Sequence, residues 1–160
     1  MVAQLTYEKD PAIGFKGMIS QNFTSPRQID SGLAEGAILV GNGVEPGTAA
    51  GQYITLADAA NFAGVAVYFA GIEKEVGATE LELDDGKQLA VMSRGRVFAI
   101  AGAAITKGAQ LVPVAGADTK FIELSGAITC KVRAVALTAA AADGDLIEIE
   151  LSTQVLDTEA

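Results

Sequence analysis

The sequence predicts an all-β fold, a β-barrel or a jelly-roll-like sandwich of short antiparallel strands, preceded by an extended N-terminal arm. Three observations lead there. Short apolar runs recur along the chain with turn-forming clusters between them. In Leu146–Leu151, Leu146, Glu148 and Glu150 alternate with Ile147, Ile149 and Leu151, which is the period of a strand with one wet face. Helical signals are sparse, and no repeat of roughly 20–50 residues points to a solenoid or propeller.

Taken in order, residues 1–30 carry no sustained periodicity and are interrupted by Asp10-Pro11, Gly14, Gly17 and Ser25-Pro26. Yet Ile13, Phe15, Met18, Ile19 and Phe23 are apolar, which a disordered tail would largely lack. The segment reads as an arm lying on another surface, or equally as a first strand and loop on its own domain. Strands are expected at Ala37–Gly41, Gln52–Leu56, Ala63–Ala70, Thr79–Leu83 and Gln88–Ser93. Further strands are expected at Arg96–Ala101, Gln110–Val114, Ile128–Leu137 and Leu146–Leu151. The breaks carry turn chemistry, including Pro46-Gly47, Asp84-Asp85-Gly86, Arg94-Gly95 and Asp143-Gly144-Asp145. Leu56–Phe62 offers a helical turn or two without a convincing cap, and Ala139–Ala142 reads as a tight connection.

The 160 residues suit one compact domain with an attached arm, divided as 1–30 and 31–160. Half the residues are hydrophobic but only 6% are aromatic and none is Trp, so the core is built from small side chains. Each buried residue then contributes less, and subunit association is a natural compensation. The net charge of -9 argues against nucleic acid, whose binding needs phosphate neutralisation, and against anionic membranes. The longest apolar run, Phe62–Ile72, falls short of the roughly 20 residues of a membrane helix. Met1–Asp10 has no apolar signal-peptide core, so synthesis in a cytoplasm is expected.

With no histidine and one cysteine, Ser-His-Asp and Cys-His nucleophiles, His-ligated metals and thiolate clusters are excluded. Cys130 lies in an apolar stretch and reads as a buried small hydrophobe. Asp84-Asp85-Gly86-Lys87 has the form of a hairpin turn and lacks the further oxygen ligands of a calcium loop. Glu148 and Glu150 are explained by a solvated strand face rather than by paired glycosidase carboxylates. Gly41–Gly47 lacks the Lys-Ser/Thr ending of a phosphate loop. No catalytic, cofactor-binding or metal-ligating residue is therefore expected, and no enzyme activity.

Several pieces together resemble structural cement proteins of tailed-bacteriophage capsids. They are Ile13-Gly14-Phe15-Lys16-Gly17-Met18-Ile19, Ile29–Glu35, Ile38–Val44, Phe62–Val67, Val91–Ala99 and Ile105–Leu111, in that order over most of the chain. The resemblance implies a β-rich decoration protein on the outer surface of an icosahedral head, bridging major capsid proteins. It implies an oligomer, a homotrimer in preference to a homodimer, with no cofactor, nucleic acid or membrane as partner. It does not identify contact residues. The apolar positions of the arm, Phe15, Met18, Ile19 and Phe23, are assigned to that role as anchors on a capsid protein or neighbouring subunit. The alternative is another virion β module, such as a tail or carbohydrate-binding domain, although the aromatic platforms of sugar sites are scarce here.

Overall fold

The computed structural model describes residues 14–20, 26–72, 78–126 and 130–153. Eleven strands are present among them: β1 Gln28–Ala34, β2 Ile38–Leu39, β3 Gly43–Pro46, β4 Gln52–Thr55, β5 Gly64–Ala66 and β6 Glu82–Leu83, then β7 Gln88–Ile100, β8 Gln110–Val114, β9 Lys120–Glu123, β10 Val132–Ala136 and β11 Leu146–Thr153. The fold is all-β, as expected, and its form is barrel-like rather than a jelly-roll sandwich.

The strands form two rings that share β7. The first half of β7 closes a ring with β1, β4, β3 and β5, because β1 pairs with β4 on one edge and antiparallel with β7 on the other. The second half pairs with β11, which leads through β10 and β8 to β9. That ring closes where Phe121 of β9 bridges Ala101 and its carbonyl accepts from the Gly102 N–H at 2.8 Å. β2 and β6 add a short ladder of two residue pairs beside the first ring. Closure removes most of the unpaired edges that would otherwise invite aggregation.

The sequence reading split β7 at Arg94-Gly95, and this is corrected: one 13-residue strand runs through both. Gly95 takes φ +128°, a conformation an L side chain rarely adopts, and so the strand bends between rings without ending. A bulge lies just before it, since Gln28 pairs with Arg94 but Ile29 with Met92, leaving Ser93 as the extra residue. Three strands carried no expectation: β1, β3 and β9. Of the run Ala63–Ala70 only Gly64–Ala66 is strand, and of Thr79–Leu83 only Glu82–Leu83. The helical turn is a 3-10 turn, Ala59–Asn61, and it is capped after all, by an Asp58 side chain that accepts from the Ala60 N–H.

Two apolar clusters fill the rings. The larger joins β7, β8, β10 and β11 residues such as Val97, Leu111, Ala134 and Ile149 to Phe62, Val65 and Met92. The smaller contains Ile38, Val44, Ala66, Leu89 and Val91. β5 is buried on both faces, Val65 in the larger cluster and Ala66 in the smaller, so it belongs to both cores. Phe62 and Phe121 meet edge to face at 6.0 Å, tying the loop before β5 to β9. Buried Asn42 adds a polar tie: its amide donates to the Ala117 carbonyl at 2.7 Å and accepts from the Thr119 N–H at 3.3 Å.

Candidate capsid-binding surface

Residues 14–20 run along the second half of β7, on the edge opposite β11. The Gly17 and Ser20 N–H groups donate to the Phe98 and Arg96 carbonyls at 2.8 and 3.0 Å, and the Phe98 N–H donates to Met18 at 3.0 Å. The segment then crosses the turn after β2 at closest approach of two glycines. A Cβ on Gly17 would sit 2.6 Å from the Gly41 nitrogen, and one on Gly41 would sit 2.8 Å from the Gly17 nitrogen. Both residues have positive φ, +79° and +89°, so side chains are excluded by space and by conformation. Lys16 is held at this crossing by ion pairs with Asp118 and with Glu80, and Ser20 donates to Glu148 at 2.5 Å.

The candidate anchors therefore have different surroundings. Phe15 is 43% exposed and lies edge to face on Tyr68, ring centroids 5.4 Å apart, with Tyr68 itself 36% exposed. A hollow of about 370 Å³ opens beside Phe15, walled by Lys16, Val40, Thr79, Glu80 and Leu81. Met18 is half-buried, and half-buried Ile19 pairs with Val97 and packs on the larger core of its own chain. Phe23 lies outside the described residues. Sequence reasoning missed Tyr68, which sits in an apolar run that resembled a strand, and the exposed Ile29 and Leu33 of β1.

The acidic clusters take structural parts. The Asp84 carbonyl accepts from the Lys87 N–H at 3.1 Å with Gly86 at φ +75°, a tight turn as expected, but not a hairpin, because β6 pairs with β2 and β7 with β1 and β5. Asp145 accepts from the Ala141 and Ala142 N–H groups at 2.8 and 2.9 Å, and buried Glu45 accepts from Ala57 and Asp58. Glu35 accepts from both the N–H and hydroxyl of Thr48, which holds its carboxyl below the usual range. Among the described residues, no group of three or more acidic or thiol side chains is placed to hold a metal ion. Cys130 is half-buried rather than buried, its thiol donating to the Ala59 carbonyl at 3.2 Å. Burial, with the Asp58 charge nearby, pushes that thiol's pKa up and away from the nucleophilic thiolate.

Two fused β-rings with side chains filling both, and exposed aromatics fixed on a rigid backbone, define a β-barrel protein suited to binding through its surface. The chain belongs to the structural cement protein family (E217 gp24/Pam3 gp6), whose family model matches residues 3–152. Its role is accordingly that of a capsid cement, or decoration, protein, and its place is the virion capsid. The family is a structural one. The fold is similar to that of a chain in a solved structure titled "The capsid of Myoviridae Phage XM1", with a TM-score of 0.63 at 15% identity, covering 94% of this chain and 97% of that one. No curated protein matches the sequence.

Proposed function

We propose that the protein binds the outer surface of a phage head, joins neighbouring major capsid proteins, and performs no catalysis. The observation that carries this reading is the Phe15–Tyr68 pair. Two aromatic rings remain more than a third exposed while their backbones are tied together by the Tyr68 N–H donating to the Gly17 carbonyl at 2.9 Å. Preorganised aromatics of this kind are the side chains that dominate protein interfaces, because little freedom remains to be lost on binding. Met18, beside Phe15, and Phe23 of the arm extend the contact, whereas Ile19 contributes by fixing the segment to β7. Residues 1–30 act as the arm and 31–160 as the barrel body, except that Gln28–Asp30 already pair with β7 as the start of β1.

The net charge of -9 favours basic patches on the capsid for recruitment. Self-association as a homotrimer is part of the proposal: a trimer engages several capsid chains at once, and every contact after the first is intramolecular. The test is cosedimentation with expanded heads prepared without this protein. Phe15→Ala is expected to weaken binding about tenfold or more while melting within a few degrees of wild type. Unchanged head binding by Phe15→Ala would remove the aromatic pair from the interface. The mass of the free protein and the stoichiometry on heads decide the trimer.

A further inference from the structure

We propose that the open edge of β1 is a strand-docking site that takes an extended segment of the major capsid protein; this rests on the head-binding reading above. The Ala34 N–H donates to Lys87, toward β7, while the flanking Leu33 and Glu35 N–H groups donate away from it, to Gly51 and Tyr53. Backbone direction alternates along a strand, so Asp30 and Gly32 face β7 and the N–H and C=O groups of Ile29 and Ser31 face away. The Ala90 carbonyl, opposite Ser31, is directed to Val67 instead, which agrees with that alternation. β4 pairs only with Leu33 and Ala34, and then diverges into its hairpin. Among the described residues no strand pairs with the outward edge of Ile29 and Ser31.

That edge borders a cleft of about 580 Å³ whose lining includes Asp30, Tyr53, Ser93, Lys131 and Thr153. Ser93, the bulge residue, is only 6% exposed and its hydroxyl has no hydrogen-bond partner among the described residues. On the outer face of the same strand, Ile29 and Leu33 are 42% and 46% exposed. A strand added here gains main-chain hydrogen bonds from Ile29 and Ser31, rests alternate side chains on Ile29 and Leu33, and finds charges of both signs in Asp30 and Lys131. The occupant is therefore an extended polypeptide with an apolar alternate face and a basic residue to meet Asp30. The structural cement family to which the chain belongs makes a capsid protein the source of that segment.

Hydrogen exchange on the full-length protein, alone and bound to expanded heads prepared without it, tests this. The Ile29 and Ser31 amides are expected to exchange rapidly in the free protein and to slow at least tenfold on heads. Ser31→Pro deletes the outward donor while leaving the β7-facing groups of Asp30 and Gly32 in place, as proline is tolerated on a strand edge. It should weaken head binding about tenfold or more, with Ser31→Thr unchanged. If Ser31→Pro does not fold, the exchange result decides. Head-bound protein with no slowing at Ile29 and Ser31 would overturn the docking site and leave the head-binding reading intact. Protection that instead grows with protein concentration in the absence of heads would make the occupant a second copy and overturn the assignment to the capsid protein. Wild-type protein that failed to bind heads at all would remove the cement role first.

Discussion

The two rings share a strand and differ in how continuously they are laced. In the second ring, β7 and β11 pair over six positions, β10 and β11 over five, β8 and β9 over four and β8 and β10 over two, with one bridge at the closure. In the first ring, β1 and β7 also pair over six and β3 and β4 over three, but β1–β4, β3–β5 and β5–β7 each pair over two. The first ring is instead completed by specific ties: the Gly17–Gly41 crossing, the Asn42 bracket and the Phe62–Phe121 contact. Among the described residues, the exposed large apolar side chains Phe15, Ile29, Leu33 and Tyr68 belong to this ring or to the segment beside it, and Val114 and Leu146 to the second ring. The more loosely laced ring thus carries the larger share of the exposed apolar surface.

If the rings form one cooperative unit, breaking a tie between them must destabilise both. The largest effect is expected for Phe121→Ala, which empties the junction of a fully buried ring and costs about 3–5 kcal/mol in chemical denaturation. Gly41→Ala comes next: a Cβ would lie 2.8 Å from the Gly17 nitrogen at positive φ, for a cost of about 1–3 kcal/mol or more in the same measurement. Asn42→Ala strands the buried Thr119 N–H and the Ala117 carbonyl, at about 1–3 kcal/mol, and should leave a single unfolding transition. Two separated transitions in that variant would mean that the rings fold independently.

The smallest effect belongs to Glu35, at the exposed hairpin of the first ring. Its folded pKa is depressed from 4.5 by the Thr48 hydrogen bonds, so its contribution is complete above the unfolded value and is lost as pH falls through the folded one. Glu35→Gln should therefore lower the denaturation midpoint slightly at neutral pH, with the difference from wild type vanishing in acid. A difference that persisted in acid would assign Glu35 a part other than its charged acceptor role.

Legibility in the sequence followed the same division. β10 and β11 were readable because each has one dry and one wet face, Val132, Ala134 and Ala136 alternating with Arg133 and Val135. β1 was not, because Gln28–Ser31 are exposed on both faces and no alternation results. β3 carries Gly43 and Pro46, which read as turns, and β9 is four residues with one buried. β7 looked like two strands because Arg94-Gly95 is turn chemistry put to use as a bend. Phe15 stood out as an aromatic among glycines, but its partner Tyr68 could not, since only the tertiary fold brings residues 15 and 68 together.

The cement role itself is tested most directly by heating DNA-filled heads with and without this protein and following DNA release by dye fluorescence. Heads lacking it are expected to release DNA at a lower temperature and to recover when the purified protein is added back. Equal release temperatures for the two kinds of head, with the protein confirmed present on one and absent from the other, would contradict the account.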